Sequence, residues 1–155
     1  MKRTISQIRD LDQIEKELNS NTTGVLAFSI DEDKIVQVAT PYLYLDKNVY
    51  IFFREEDELF ENIRFQSEVS FTVLKTEKKT KSHKTGSKDG YNIFSITISG
   101  LIKKLDDQKT IDDLTQNYLK KYSAGEEESD GKPANLSRVV LIDSREIQAI
   151  EEVGG

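Results

Sequence analysis

His83 is the only imidazole in the 155-residue chain, and it stands inside a lysine-rich stretch, KTEKKTKSHKTGSKDG at 75–90. Ser/His/Asp catalysis would have to use it. A triad base must be held rigidly by its neighbours, which a polar lysine tract does not provide. His83 is also the sole candidate for an axial haem ligand; the plainer reading is a solvated loop histidine. The run Glu55-Glu56-Asp57-Glu58 gathers four carboxylates. Four acids in a row point in several directions, with no second carboxylate group at metal-binding spacing, so they read as a solvated helix start favoured by the macrodipole. The tract at 75–90 carries six lysines against Glu77 and Asp89. It reads as a cradle for a small phosphate or nucleotide, or as a mobile hairpin tip; for nucleic acid it lacks interleaved aromatics. Tyr42, Tyr44 and Tyr50 are placed to stack on a planar ligand or to pack a core.

Composition removes several classes. There is no cysteine, which excludes disulfides, thiolate metal sites and a cysteine nucleophile. A single histidine excludes a multi-histidine zinc or iron site. No phosphate-binding loop, dinucleotide glycine fingerprint or nucleophile elbow occurs. The net charge of −6 argues against a general nucleic-acid binder. No apolar run approaches a membrane span, and none follows the basic Met1-Lys2-Arg3 start, so a soluble cytoplasmic protein is expected.

These residues must be held by a framework, and the apolar pattern supplies one. Residues 6–19 predict an amphipathic helix on Ile8, Leu11 and Leu18. Gly24 to Ile30 and Ile35 to Thr40 predict two strands, with Pro41 marking a bend or sheet edge. Tyr42 to Leu45 and Val49 to Phe53 flank the turn Asp46-Lys47-Asn48 as a hairpin. Asp57 caps a short helix bearing Leu59, Phe60 and Ile63. Val69, Phe71 and Val73 alternate with polar residues, as do Asn92 to Ile98, and both predict half-buried strands on either side of the lysine tip. A helix follows from Asp106 or Asp107 to Tyr122, then a mobile loop at 123–135. A last strand, Leu136 to Ile142, leads into a short helical tail with Ile147 and Ile150. Six or seven strands joined mainly by short turns predict a single mainly β domain, an antiparallel barrel with flanking helices.

Taken in order, these elements resemble the pyridoxamine 5′-phosphate oxidase-like, FMN-binding split barrels over about residues 7–150. The likeness rests on Gly24-Val25-Leu26-Ala27 after a helix, on Ala39-Thr40-Pro41, and on Val49-Tyr50-Ile51-Phe52-Phe53. It continues in Glu61-Asn62-Ile63-Arg64 before Glu68-Val69-Ser70-Phe71, and in YNIFSITISG from Tyr91 to Gly100. The resemblance implies a homodimer of split barrels with FMN in the clefts between subunits. It implies flavin contacts from Thr40, Pro41 and Tyr42, from Phe53 and Arg54, and from Ser95. The flavin would carry the redox chemistry of an oxidoreductase, and no side chain stands out as a general acid or base.

The family commonly places Thr-Ser where this chain has Phe53-Arg54, and Ser-basic-Lys where it has Asp57-Glu58-Leu59. Those groups hold the flavin phosphate, and here the stretch is acidic. Arg54, Arg64 and the lysine tract are the cations left to replace them. Two other readings stay open: a haem-binding or haem-degrading relative that uses His83, and a barrel without cofactor that acts as a binding module.

Overall fold

The structure, a computed structural model, describes residues 2–83, 86–123 and 138–155, with side chains described in all of these except 79–83 and 86–89. Its elements are β1 (Arg3–Ile8), α1 (Leu11–Ser20), β2 (Thr23–Asp31), β3 (Lys34–Pro41), β4 (Leu43–Leu45), β5 (Asn48–Phe53), α2 (Glu58–Glu61), β6 (Glu68–His83), β7 (Gly86–Lys104), α3 (Gln108–Tyr122) and β8 (Arg138–Gly154). All pairings are antiparallel, in the order β3-β2-β6-β7-β8-β5-β4, with β1 added to the far end of β8. The sheet curls but does not close. β3 and β4 are its two ends, and β3 approaches β5 without pairing to it. This is the split barrel that the alternating pattern predicts.

Period-2 alternation decides which face is core. Leu26 and Phe28 of β2, Phe71 and Val73 of β6, Ile96 and Ile98 of β7, and Val49, Ile51 and Phe53 of β5 turn inward. Ile14 and Leu18 of α1 plug that interior. A smaller cluster forms outside, where Ile111 and Leu114 of α3 cover Leu43 and Val139, with Tyr50, Phe52 and Tyr118 against them. The β4–β5 turn has positive φ at both Asp46 (51°) and Lys47 (69°), the handedness a two-residue hairpin needs.

Four expectations differ from what is observed. The first helix begins at Leu11, because Asp10 accepts the Asp12 N–H at 3.1 Å and caps it there. Residues 3–8 are instead an edge strand, and the count of strands is eight. The expected helical tail is strand, since Ser95 to Ser99 of β7 pair with β8 through Glu146 to Ile150. The lysine-rich stretch, expected as a loop, is strand in its backbone over 75–83 and 86–90, because each strand of the long hairpin satisfies the other's backbone groups whatever the side chains carry. The expected loop at 123–135 lies, apart from Ser123, outside the described residues. Among the described residues no helix is long and apolar enough to cross a membrane.

Candidate functional site

The split between β3 and β5 leaves a recess of about 130 Å³, lined by Leu26, Val38, Ala39, Thr40, Phe52, Phe53, Asp57 and Leu59. Two causes open it. β3 is an edge strand, so alternate residues of Lys34–Pro41 turn their N–H and C=O groups away from β2. β5 ends at Phe53, and the chain then turns back, with the Asp57 N–H donating to the Arg54 carbonyl at 3.1 Å. Asp57 caps α2 through a 3.0 Å bond from the Leu59 N–H, which fixes both residues at the rim. The recess therefore has apolar and aromatic walls, one unpaired strand edge and a single carboxylate.

Of the residues singled out in the sequence, Thr40 and Phe53 meet in this recess. Pro41 is exposed at the corner that follows, and Arg54 is exposed just past Phe53. Arg54 lies near Tyr118, where its charge opposes the upward push that burial gives the phenol. Tyr42 is buried with its ring in the core, 5.1 Å from Phe71 and edge-on to it. Its hydroxyl donates to the Leu18 carbonyl at 2.5 Å, so the ring belongs to the packing and not to the recess wall. Arg64 is exposed beyond α2 and does not line the recess. Ser95 sits opposite Leu74 and Ile150, on the outer face of the sheet, away from the recess. The side chains of His83 and of the tract's later lysines lie outside the described residues.

Phe52, Asp57 and Leu59 complete the wall, and strict alternation did not flag Phe52. At a strand end both Phe52 and Phe53 reach the opening, whereas in mid-strand only one would. A second feature that spacing left unseen is the brace behind the corner. The Tyr122 hydroxyl lies 2.7 Å from the Thr22 carbonyl and 2.6 Å from the Tyr42 carbonyl, and accepts the Tyr42 N–H at 3.0 Å. Lys121 sets its ammonium 3.9 Å from the Tyr42 ring centroid and bonds the Tyr42 carbonyl at 3.2 Å. Phe52, Tyr118 and Tyr122 stack in succession, with centroids 4.4 Å and 4.6 Å apart. The helical stripe already held Tyr118 and Tyr122, but only the fold shows that Tyr122 ties the end of α3 to the Tyr42 corner and to Thr22, and that Tyr118 stacks on Phe52 of β5.

This brace sets an alkaline limit on stability. Burial raises the Tyr42 phenol well above its ordinary range, and it pushes Tyr122 up to about 12. Tyr44 is also pushed up to about 12 by burial, with Glu15 close by but outside hydrogen-bonding geometry. Below about pH 10 these phenols are protonated in folded and unfolded chains alike, so their contribution is complete. Between that value and the folded values only the unfolded chain ionises, and stability falls. Lys121 acts oppositely: burial pulls it down to about 8 despite the ring and carbonyl beside it, so from there to about pH 10.5 the folded chain sheds its proton first and stability rises. Urea midpoints should hold or rise up to about pH 10 and then drop steeply. A midpoint unchanged at about pH 11.5 would refute this.

No curated protein matches the chain by sequence. Solved structures do match its fold. A protein provisionally assigned to 5-nitroimidazole antibiotic resistance, from Bacteroides thetaiotaomicron, superposes with a TM-score of 0.77 at 13% identity, covering 99% of this chain and 91% of that one. A FAD-binding protein from Mesorhizobium loti gives 0.65 at 21% identity, covering 95% and 97%. A FAD and haem binding protein from Mycobacterium smegmatis gives 0.67 at 10%, covering 92% and 71%. At these identities the likeness establishes the fold. The sequence itself matches the pyridoxamine 5′-phosphate oxidase family model over residues 10–151, and the chain belongs to that family.

Proposed function

We propose that the chain is a flavin-binding, oxidoreductase-like protein of the cytoplasm, working as a homodimer, with the flavin ring seated in the recess at the split. The observation that carries this is the pairing of an unpaired strand edge with Phe52, Phe53 and the Thr40 side chain around one opening. A planar heteroaromatic ring needs apolar faces and hydrogen-bond partners at its edge, and this recess offers both. Flavin-binding proteins among the structures of the same fold support the reading. When bound, the flavin supplies hydride or electron transfer; the chain positions it and excludes water. The resemblance implies FMN in particular. The walls suit the ring system shared by riboflavin, FMN and FAD, but they do not suit a phosphate, because among the described residues the only charged wall residue is Asp57.

The outer face of the sheet supports the homodimer. Val25, Ile35 and Leu74 stand on it at 38%, 73% and 55% exposure, around small residues such as Ala27, Ser70 and Ser99. Such an uncovered apolar face marks an interaction surface. Ser95 shares it, so Ser95 would join a flavin site only from a second copy.

The test is a spectrum of the purified protein and a titration with flavins and with haemin. The expected result is a flavin absorption band and quenched flavin fluorescence on binding, with sedimentation at twice the chain mass. A Soret band on haemin addition without flavin binding would replace this reading by the haem-binding one. A colourless monomer that takes up neither would leave the cofactor-free barrel.

A further inference from the structure

Among the described residues lining the recess, Asp57 is the one charged side chain. Its position is not adjustable at low cost, because its Oδ1 caps α2 by accepting the Leu59 N–H at 3.0 Å. That same bond uses the donor which an incoming anion would otherwise find at this end. Glu55, Glu56 and Glu58 surround it, all exposed. Two nearby cations are set against other groups, and the third, Arg54, is exposed outside the recess lining. Arg138 pairs with Glu61 at 2.7 Å and lies 4.8 Å from the Phe60 ring, and Lys104 lies 5.7 Å from the same ring. Arg54 lies towards Tyr118 of α3.

We propose that Asp57 makes this recess select a flavin without a phosphorylated tail, riboflavin, over FMN and FAD. The inference rests on the recess being a flavin site, and it specifies which flavin. A phosphate monoester carries between one and two negative charges at neutral pH. Bringing it beside a fixed carboxylate, in a recess where solvent screens less than in bulk, costs affinity that the ring contacts do not change. The ring and the neutral ribityl chain are common to riboflavin and FMN, so the difference between them isolates the charge.

The experiment compares riboflavin, FMN and FAD by fluorescence quenching at low salt, in the wild type and in Asp57→Asn. Asparagine caps a helix as well as aspartate does, so this variant removes the charge and keeps α2. Riboflavin should bind the wild type about tenfold or more tighter than FMN, a difference of about 1.4 kcal/mol per tenfold. Asp57→Asn should close most of that gap by tightening FMN more than it changes riboflavin. Added salt should narrow it in the wild type. FMN or FAD binding as tightly as riboflavin in the wild type, or a gap that Asp57→Asn leaves intact, overturns the selectivity and leaves the flavin site standing. If no flavin binds either protein, the selectivity and the flavin reading fall together.

Discussion

Replacing Thr40 with tryptophan is expected to weaken flavin binding by about a hundredfold while leaving the fold in place. Thr40 lines the recess from the edge strand β3, in register with Gly24 of β2. The indole would occupy the space assigned to the flavin ring, and displacing it costs about 1–3 kcal/mol, the usual range for overfilling a packed site. Tryptophan is well tolerated in strands. The chain has no tryptophan of its own, so the introduced indole also reports folding by its emission. Thr40→Val is the control: it keeps the volume and loses only the hydroxyl, and it should bind flavin within about tenfold of the wild type, the worth of one hydrogen bond. Unchanged affinity in Thr40→Trp would place the ring elsewhere.

Gly100→Ala should destabilise the barrel by at least about 3 kcal/mol, the upper part of the overpacking range. Gly100 lies at the bulge where the β7–β8 register shifts, and an added Cβ would stand 2.0 Å from the Asp143 carbonyl oxygen and 3.2 Å from the Ser144 Cα. Both neighbours are backbone, so relief requires β7 and β8 to part. Gly24→Ala differs in kind: its nearest neighbour would be the Phe71 ring, at 2.2 Å, and a side chain can shift where a paired strand cannot. Gly100→Ala should therefore be the costlier of the two in urea denaturation, read as a lower midpoint at unchanged slope. Equal midpoints for Gly100→Ala and the wild type would contradict the geometry.

The clean alternations were legible in the residues themselves. Phe71 and Val73, or Ile96 and Ile98, could be assigned to a core face because a one-residue slip would have exposed all of them. Segments whose pattern serves two periods were less legible. Ile147 and Ile150 are three apart, which reads as helix; in the strand Ile147 packs against the core and Ile150 faces out. Ile8 seemed to extend the first helix, but Asp10 intervenes as its cap. The lysines of 75–90 suggested a loop because charge is common in loops, yet a hairpin is held by backbone pairing, which composition does not report.

The site divides in the same way. The resemblance implies Thr40 on one strand and Phe53 at the edge of the next, and the fold brings both to one opening. Tyr42 was named with them, and its ring points into the core because the chain turns the corner at Pro41. Asp57 was visible as an acid at a helix start. Its place on the recess wall depends on how β5 ends, which only the tertiary structure determines.

The most direct test of the flavin site is hydrogen exchange at single-residue resolution, with and without saturating riboflavin. In the free protein the outward-facing amides of the β3 edge, within Lys34–Pro41, lack strand partners and should exchange fast. Bound flavin should slow these amides and those of Phe52 to Leu59, leaving the β1–β8 end unchanged. Protection that appears elsewhere, with β3 exchanging as before, would contradict a flavin seated in the split.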